Sequence, residues 1–147
     1  MKKITSLLLL VVGLVVALSS CGVGKVKIED YEWKMRTAMI NDLELAQTGE
    51  LVVAVGEPDA VHPNAKIVDI TLVAKDGIIT ITDATNNKSY EGTYTVSGKN
   101  PEGTDYEVVI DGKEGYATVA PTKHHDGTEE PTLPINLGDY SLYFYAD

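Results

Sequence analysis

The stretch "KIVDITLVAKDGIITITD", residues 66–83, decides the fold class of this chain. Two runs rich in β-branched residues flank the dipeptide Asp76-Gly77. Aspartate and glycine both tolerate the positive φ angles of a two-residue hairpin turn, so the pattern predicts two antiparallel strands. A second stretch, "DYEVVIDGKEGYATVA" (105–120), repeats this arrangement around Asp111-Gly112. We therefore predict two tight β-hairpins.

Outward from these hairpins, apolar and polar residues alternate with the period of two that is typical of half-buried strands. Near the beginning of the domain, one face of the pattern contains Tyr31, Trp33, Met35 and Met39. In the last segment, one face contains Tyr140, Leu142, Phe144 and Ala146. Eight or nine short strands result, joined mostly by short turns, and no stretch of ten residues has a convincing helical pattern.

These strands predict an all-β fold, an antiparallel meander of about eight strands. Hairpin turns join neighbouring strands, and closing the sheet into a barrel removes its exposed edges. We expect a small up-and-down barrel or a strongly curved sandwich. A Greek-key sandwich of the immunoglobulin type is the alternative. It needs longer connections, which this sequence offers only at 56–65 and 121–132.

The amino-terminal segment has the order of an export signal. Lys2 and Lys3 precede the apolar run "LLLLVVGLVVAL" (7–18), and the small residues Ser19 and Ser20 follow. A membrane-spanning helix needs about 20 apolar residues, so this shorter run indicates export followed by cleavage. We assign residues 1–20 to a signal helix that is removed.

The tetrapeptide Leu18-Ser19-Ser20-Cys21 contains the only cysteine of the chain. It resembles the lipobox of bacterial lipoproteins. The resemblance implies that the Cys21 sulfur receives a diacylglyceryl group, that a peptidase cuts before it, and that the new amino terminus accepts a fatty acid such as palmitate. Two or three acyl chains anchor a protein without a transmembrane helix. Ordinary secretion, with cleavage at Ala17-Leu18-Ser19, is the alternative.

The remaining chain divides into a tether and a domain. Residues 21–30 are predicted to hold the lipid and form a flexible tether, and residues 31–147 a single domain. The expected location is the extracytoplasmic face of the cell membrane, within the cell envelope. Without Lys2 and Lys3, the chain contains ten basic and 22 acidic residues. Nucleic-acid binding needs a basic footprint, so we expect no nucleic-acid partner.

Trp33 on the first strand, followed by a meander of about eight strands over residues 31–147, resembles the calycin group of lipocalin-like barrels. The segments "DGIITITD", "YEGTYTV" and "TLPINLGDYSLYFY" also resemble small uncharacterised lipoproteins associated with this barrel. The resemblance implies a cup-shaped barrel that binds a small molecule, and it implies no known catalytic activity.

Chemically active motifs are few. The sequence His124-His125-Asp126 lies in the polar stretch "TKHHDGTEEP", and "DATNN" (83–87) lacks the register of a calcium loop. We interpret both as turns and expect no metal site and no cofactor. Cys21 is committed to lipid, and no serine-nucleophile elbow, phosphate loop or zinc-protease helix is present. We therefore expect a protein that is not an enzyme.

The aromatic residues are the candidate binding residues. On the predicted inward faces lie Tyr31, Trp33, Tyr90, Tyr94, Tyr106, Tyr116 and Tyr140. Tyrosine combines an apolar ring with a polar tip, and an eight-stranded barrel holds either side chains or one small ligand. We expect a binding module for a small hydrophobic or envelope-derived ligand. The alternatives are a structural or protein-interaction lipoprotein with a filled core and, third, an enzyme.

Overall fold

The structure, a computed structural model, describes residues 26–40, 52–63, 65–99, 101 and 103–147. The predicted signal helix (1–20), the lipobox with Cys21 and the first part of the predicted tether lie outside these residues. Apart from one short 3-10 turn, Ile28–Asp30, the regular elements of the described residues are β-strands. Among them, no helix is long and apolar enough to cross a membrane.

Nine strands are present in the described ranges, and all of their pairings are antiparallel. They are β1 (Trp33–Ile40), β2 (Val52–Ala54), β3 (Ile70–Lys75), β4 (Ile78–Asp83), β5 (Lys88–Lys99), β6 (Thr104–Ile110), β7 (Lys113–Lys123), β8 (Glu129–Asn136) and β9 (Tyr140–Ala146). From β3 to β9 each strand pairs with the next one in sequence. This is the predicted meander and not a Greek key.

The sheet closes through β1. Its first residues pair with β3, Trp33 opposite Leu72, while the whole strand also pairs with β9. Eight strands, β1 and β3 to β9, therefore form a closed barrel, which resolves the choice between barrel and sandwich. The short strand β2 pairs with the second half of β1, beyond the point where β3 ends its pairing.

The two central hairpins are confirmed. Asp76 and Gly77 join β3 to β4 with φ angles of 52° and 84°, and Asp111 and Gly112 join β6 to β7 with φ angles of 51° and 73°. Positive φ at both turn residues matches the right-handed twist of the strands on either side. These turns set the register of half the barrel.

Strand β1 contains an irregularity that the alternation did not predict. The register with β9 shifts between Met35 and Thr37, so Ala38 lies opposite Leu142 and packs against the core. Met39 then lies opposite Ser141, on the outer face. The prediction that Met39 shares a face with Trp33 is therefore wrong, because a bulge reverses the alternation after it.

The core fills the middle of the barrel with side chains from every strand of the ring. Its most deeply buried large members are Trp33, Tyr106, Phe144, Leu72, Ile79, Leu133, Ile135, Val108 and Val119. Gly92 lies between Ile79 of β4 and Ile110 of β6, where a Cβ would overlap the Val109 carbonyl oxygen. Glycine there lets the long strand β5 follow the curved wall closely.

The residues before β1 belong to the folded domain. Ile28, in the 3-10 turn, is fully buried in the core, and Val26 packs against the same cluster. The prediction of a flexible tether that runs to residue 30 is therefore wrong for its last part. An apolar side chain inserted into the barrel holds this segment in place. We call residues 26–30 the strap.

Candidate functional site

The barrel has two ends of different construction. The β3–β4 turn, the loop between β5 and β6 and the strap lie at one end, which we call the strap end. The turns 84–87, 111–112 and 137–139 surround the opposite end, which we call the mouth. The predicted aromatic residues are divided between these two ends.

Two hydrogen bonds fix the strap to the barrel. The Trp33 indole Nε1 donates to the Ile28 carbonyl oxygen at 2.7 Å, and the Ile28 amide donates to the Tyr106 hydroxyl at 3.2 Å. All of these groups are buried. Because a buried polar group without a partner costs about 1–3 kcal/mol, the strap satisfies both aromatic side chains as it covers them.

Tyr94 forms the third contact with the strap. Its hydroxyl donates a hydrogen bond to the Glu29 carboxylate. Burial, and next the hydrogen bond to Glu29, raise the pKa of Tyr94 to about 12. Burial also raises the pKa of Tyr106, whose ring meets that of Tyr94 edge to face with 5.8 Å between centroids. Both tyrosines act as hydrogen-bonding core residues.

A pocket of about 540 Å³ lies beside the strap, between it and the ends of β5 and β6. Its lining residues are Lys27, Glu29, Tyr94, Val96, Lys99, Thr104 and Tyr106. Tyr94 and Tyr106 are the aromatic residues of this lining, and the exposed Val96 side chain adds aliphatic surface. This pocket combines an apolar wall with two ammonium groups and one carboxylate.

A second pocket, of about 410 Å³, occupies the mouth. Its apolar lining consists of Met35, Ile70, Ile81, Tyr90, Ile110, Leu137, Tyr140 and Leu142. Asp83, Asp111 and Lys113 supply its charged groups. The composition follows the usual pattern of small-molecule sites, an apolar surface with a few polar groups in a volume of about 300–1,000 Å³.

Two of the polar groups at the mouth have partners within the fold. The Asn86 amide nitrogens, backbone and side chain, donate to Asp83 at 3.0 and 2.7 Å. The hydrogen bond from the Asn86 side chain is the main reason why the pKa of Asp83 is lowered. The Lys113 ammonium lies 4.5 Å from the centre of the Tyr140 ring. The mouth thus keeps an ionised carboxylate and a cation at its rim.

The structure separates the predicted aromatic set. Tyr90 and Tyr140 line the mouth, whereas Tyr94 and Tyr106 line the strap-end pocket. Trp33 is fully buried behind the strap, and the partly exposed Tyr31 meets its ring edge to face at 5.5 Å.

The predicted inward orientation of Tyr116 is wrong. Its side chain is 62% exposed, and its neighbours Gly115 and Ala117 occupy the inward positions of β7. Tyr116 instead lines a small outer groove of about 150 Å³ together with Pro134 and Tyr143. The turn at Asp111-Gly112 contains the signal that fixes this orientation, because it places Lys113 opposite the inward residue Ile110.

The strap residues Lys27, Ile28 and Glu29 were missed as site residues, because the sequence assigned them to the tether. The stretch "KVKIE" (25–29) does alternate basic and apolar residues, which is the one local signal that could have found them. No local pattern shows that Glu29 reaches Tyr94, since the two residues lie far apart in sequence.

The loop with the adjacent histidines is a polar hairpin connection, as interpreted from the sequence. Asp126 accepts hydrogen bonds from the hydroxyl and the backbone amide of Thr128, and these lower the pKa of Asp126, the hydroxyl more than the amide. His124 lies 3.2 Å from Glu130, which also pairs with Arg36 at 3.0 Å. Within the described ranges, no group of three or more potential metal ligands comes together.

Comparison with known proteins gives no relative for this chain: no protein-family profile, no curated protein and no solved structure matches it. The geometry of the two pockets is therefore the basis for a functional assignment.

Proposed function

We propose that this protein is a lipid-anchored, extracytoplasmic binding protein whose barrel mouth holds a small apolar molecule. The mouth pocket of about 410 Å³ carries the proposal. Its wall is built mainly from aliphatic side chains and two tyrosines, which favour an apolar ligand through the area that binding removes from water. Asp83, Asp111 and Lys113 at the rim orient one polar group of that ligand.

The Leu18-Ser19-Ser20-Cys21 sequence supports the membrane location, and the closed eight-stranded meander supports a lipocalin-like barrel. Lipid on Cys21 anchors the domain at the cell membrane, on its extracytoplasmic face. The proposal assigns no catalytic step and no cofactor to the protein.

Co-purification tests the mouth. The full-length protein is purified, extracted with organic solvent, and the extract is analysed by mass spectrometry. A Leu137→Glu variant places a charge in the mouth, and Val109→Glu, at an exposed apolar residue of β6, is the matched control. We expect an apolar compound with wild type and Val109→Glu that is reduced at least fivefold with Leu137→Glu. Equal amounts in all three proteins, or no compound in any of them, contradict the proposal.

Metabolic labelling tests the anchor separately. Cells that express the full chain are given labelled palmitate, and label is measured in wild type and in a Cys21→Ser variant. Wild type should carry label and the variant should not. Equal labelling of the two proteins would show that the lipobox is not used.

A protein partner on the outer face is the second candidate function. The observation that favours it is the outer groove, where the exposed Tyr116 lies beside Tyr143 and Pro134. Exposed tyrosine and groove together are typical of interface hot spots. A Tyr116→Ala variant that loses a co-purifying protein, while the mouth variant Leu137→Glu retains it, would support this candidate over the first.

A further inference from the structure

We propose that the strap-end pocket binds an anionic amphiphile, a molecule with an acyl-type chain and a carboxylate or phosphate head. The chain lies against Tyr94, Tyr106 and Val96, and the head lies between Lys27 and Lys99. The inference is independent of the mouth and of its ligand, because the two pockets share no lining residue.

The apolar half of the pocket follows from the strap contacts. The Tyr94 hydroxyl is engaged by Glu29, and the Tyr106 hydroxyl accepts the Ile28 amide. With both polar tips turned to the strap, the two rings form a largely buried apolar floor of the pocket, since Tyr94 is 7% and Tyr106 is 2% exposed. Val96 adds a side chain that is 56% exposed. Such a surface favours a hydrocarbon chain, whose burial stabilises the complex by about 0.8 kcal/mol per methylene.

The charged half favours an anion. Lys27 and Lys99 both line the pocket, and the ion pairs found in the described part of the chain, at Arg36, His62 and His124, involve neither of them. Glu29 is the one carboxylate of the lining, and it accepts the hydrogen bond of Tyr94. The lining therefore has an excess of positive charge on a chain whose net charge is −10. Ammonium groups bind carboxylates and phosphates through charge-assisted hydrogen bonds.

The pocket also has the dimensions for such a ligand. Its volume of about 540 Å³ lies within the usual range of small-molecule sites. Because the hydrogen bonds of the strap already hold Tyr94 and Tyr106 in place, the side chains that binding must order are mainly those of Lys27 and Lys99.

Photo-crosslinking of the full chain in phosphatidylcholine nanodiscs tests the site. The probe is a palmitate analogue with a diazirine in its chain, and the crosslinked residues are mapped by proteolysis and mass spectrometry. We expect labelling within residues 94–106. A probe with the same chain and an alcohol in place of the carboxylate should label this segment at least fivefold less. Equal labelling by the alcohol would overturn the proposal.

Two double variants separate the lysines of the pocket from general charge. Lys27→Gln with Lys99→Gln should reduce the labelling of 94–106 at least fivefold. Lys75→Gln with Lys123→Gln removes two exposed lysines that end β3 and β7 near the same end, and should leave labelling unchanged. Retained labelling in the first double variant, or an equal loss in both, contradicts the site. Labelling confined to the mouth segment 137–142 also rejects it, while supporting the mouth as a binding site.

Competition identifies the head group. Unlabelled palmitate should displace the probe, and displacement by dodecyl phosphate as well would show that carboxylate and phosphate are both accepted. Failure of dodecyl phosphate would restrict the site to carboxylates, within the proposal. If inorganic phosphate, which has no acyl chain, displaces the probe at the same concentration, the pocket is a simple anion site. That result would reject the proposal of an amphiphile site.

Discussion

At the strap end the barrel interior is filled by aromatic rings, whereas at the mouth it is lined mainly by aliphatic side chains. Trp33, Tyr94 and Tyr106 occupy the first region, and Met35, Ile81, Ile110 and Leu142 line the second together with Tyr90 and Tyr140. The cross-section of an eight-stranded barrel is just sufficient for side chains. Large rings therefore fill the interior at the strap end, where a pocket of about 540 Å³ lies beside the strap, and mainly aliphatic residues leave about 410 Å³ at the mouth.

The two ends also differ in the partners of their polar side chains. At the strap end, the Trp33 indole and the Tyr94 hydroxyl donate to the strap, and the Tyr106 hydroxyl accepts from it. At the mouth, Lys113 lies over the face of the Tyr140 ring, and Asp83 is held by its own turn. The two ends therefore differ in what stabilises them, and each of them contains a pocket.

Replacing Trp33 should have the largest effect on stability and is the strongest test of the difference between the two ends. Trp33→Ala removes the largest buried side chain and the donor to Ile28, so the free energy of unfolding should fall by about 3–5 kcal/mol. Urea titration followed by circular dichroism measures the loss. A loss below about 1 kcal/mol would show that the strap end is not the stable end. Leu137→Ala, at the partly buried mouth, is the control and should cost less.

A smaller effect is expected from one hydroxyl group at each end. Tyr94→Phe removes the hydrogen bond to Glu29 and should lower the free energy of unfolding by about 1 kcal/mol. Tyr90→Phe makes the same change at the mouth, where no hydrogen bond to the Tyr90 hydroxyl is found among the described residues, and should change it by less than about 0.5 kcal/mol. Equal losses in matched urea titrations would remove the difference between the ends.

Alkaline pH should lower the stability of the fold through Tyr94 at the strap end but not through Tyr90 at the mouth. The pKa of Tyr94 is raised from 10.0 to about 12, so the unfolded chain loses this proton at a lower pH than the folded protein. Stability therefore falls as pH rises from about 10 and levels off above about 12. Urea midpoints at pH 8 to 11.5 should fall less steeply for Tyr94→Phe than for wild type. Tyr90→Phe should follow wild type, and coincidence of all three curves contradicts the assignment.

The smallest effect is expected at the rim of the mouth. Lys113→Gln removes the cation above the Tyr140 ring, an exposed contact worth about 0.5–1 kcal/mol. The free energy of unfolding in urea should therefore fall by no more than about 1 kcal/mol. A loss of more than about 1.5 kcal/mol would show that the mouth is also a stabilising region, and the two ends would no longer differ in kind.

Local patterns were sufficient to predict the barrel wall. The alternation of β9 correctly places Phe144 in the core and Tyr143 and Tyr145 on the other face. Asp76-Gly77 and Asp111-Gly112 set two hairpins whose register then follows from the pleat. These signals depend on residues that are near one another in the chain. They can therefore be recognised in a single sequence.

The parts that could not be predicted depend on contacts between distant residues. The role of Ile28 depends on Tyr106, and that of Glu29 on Tyr94, and neither pair leaves a local pattern. The bulge after Met35 likewise exchanges the inward and outward positions of β1, and no glycine or proline marks it in the sequence. The division of the aromatic residues between two pockets could therefore be seen only in the three-dimensional structure.

The pairing of β1 with β9 has a consequence for how the chain reaches this state. Trp33 lies beside Ala146, so the ring closes only when the two most distant strands meet. Long-range pairing of this kind raises the contact order and slows folding, because chain entropy is lost before the contact forms. A chain interrupted before β9 would keep two open edges that recruit other strands. Aggregation of truncated chains is thus the cost of a barrel without edges.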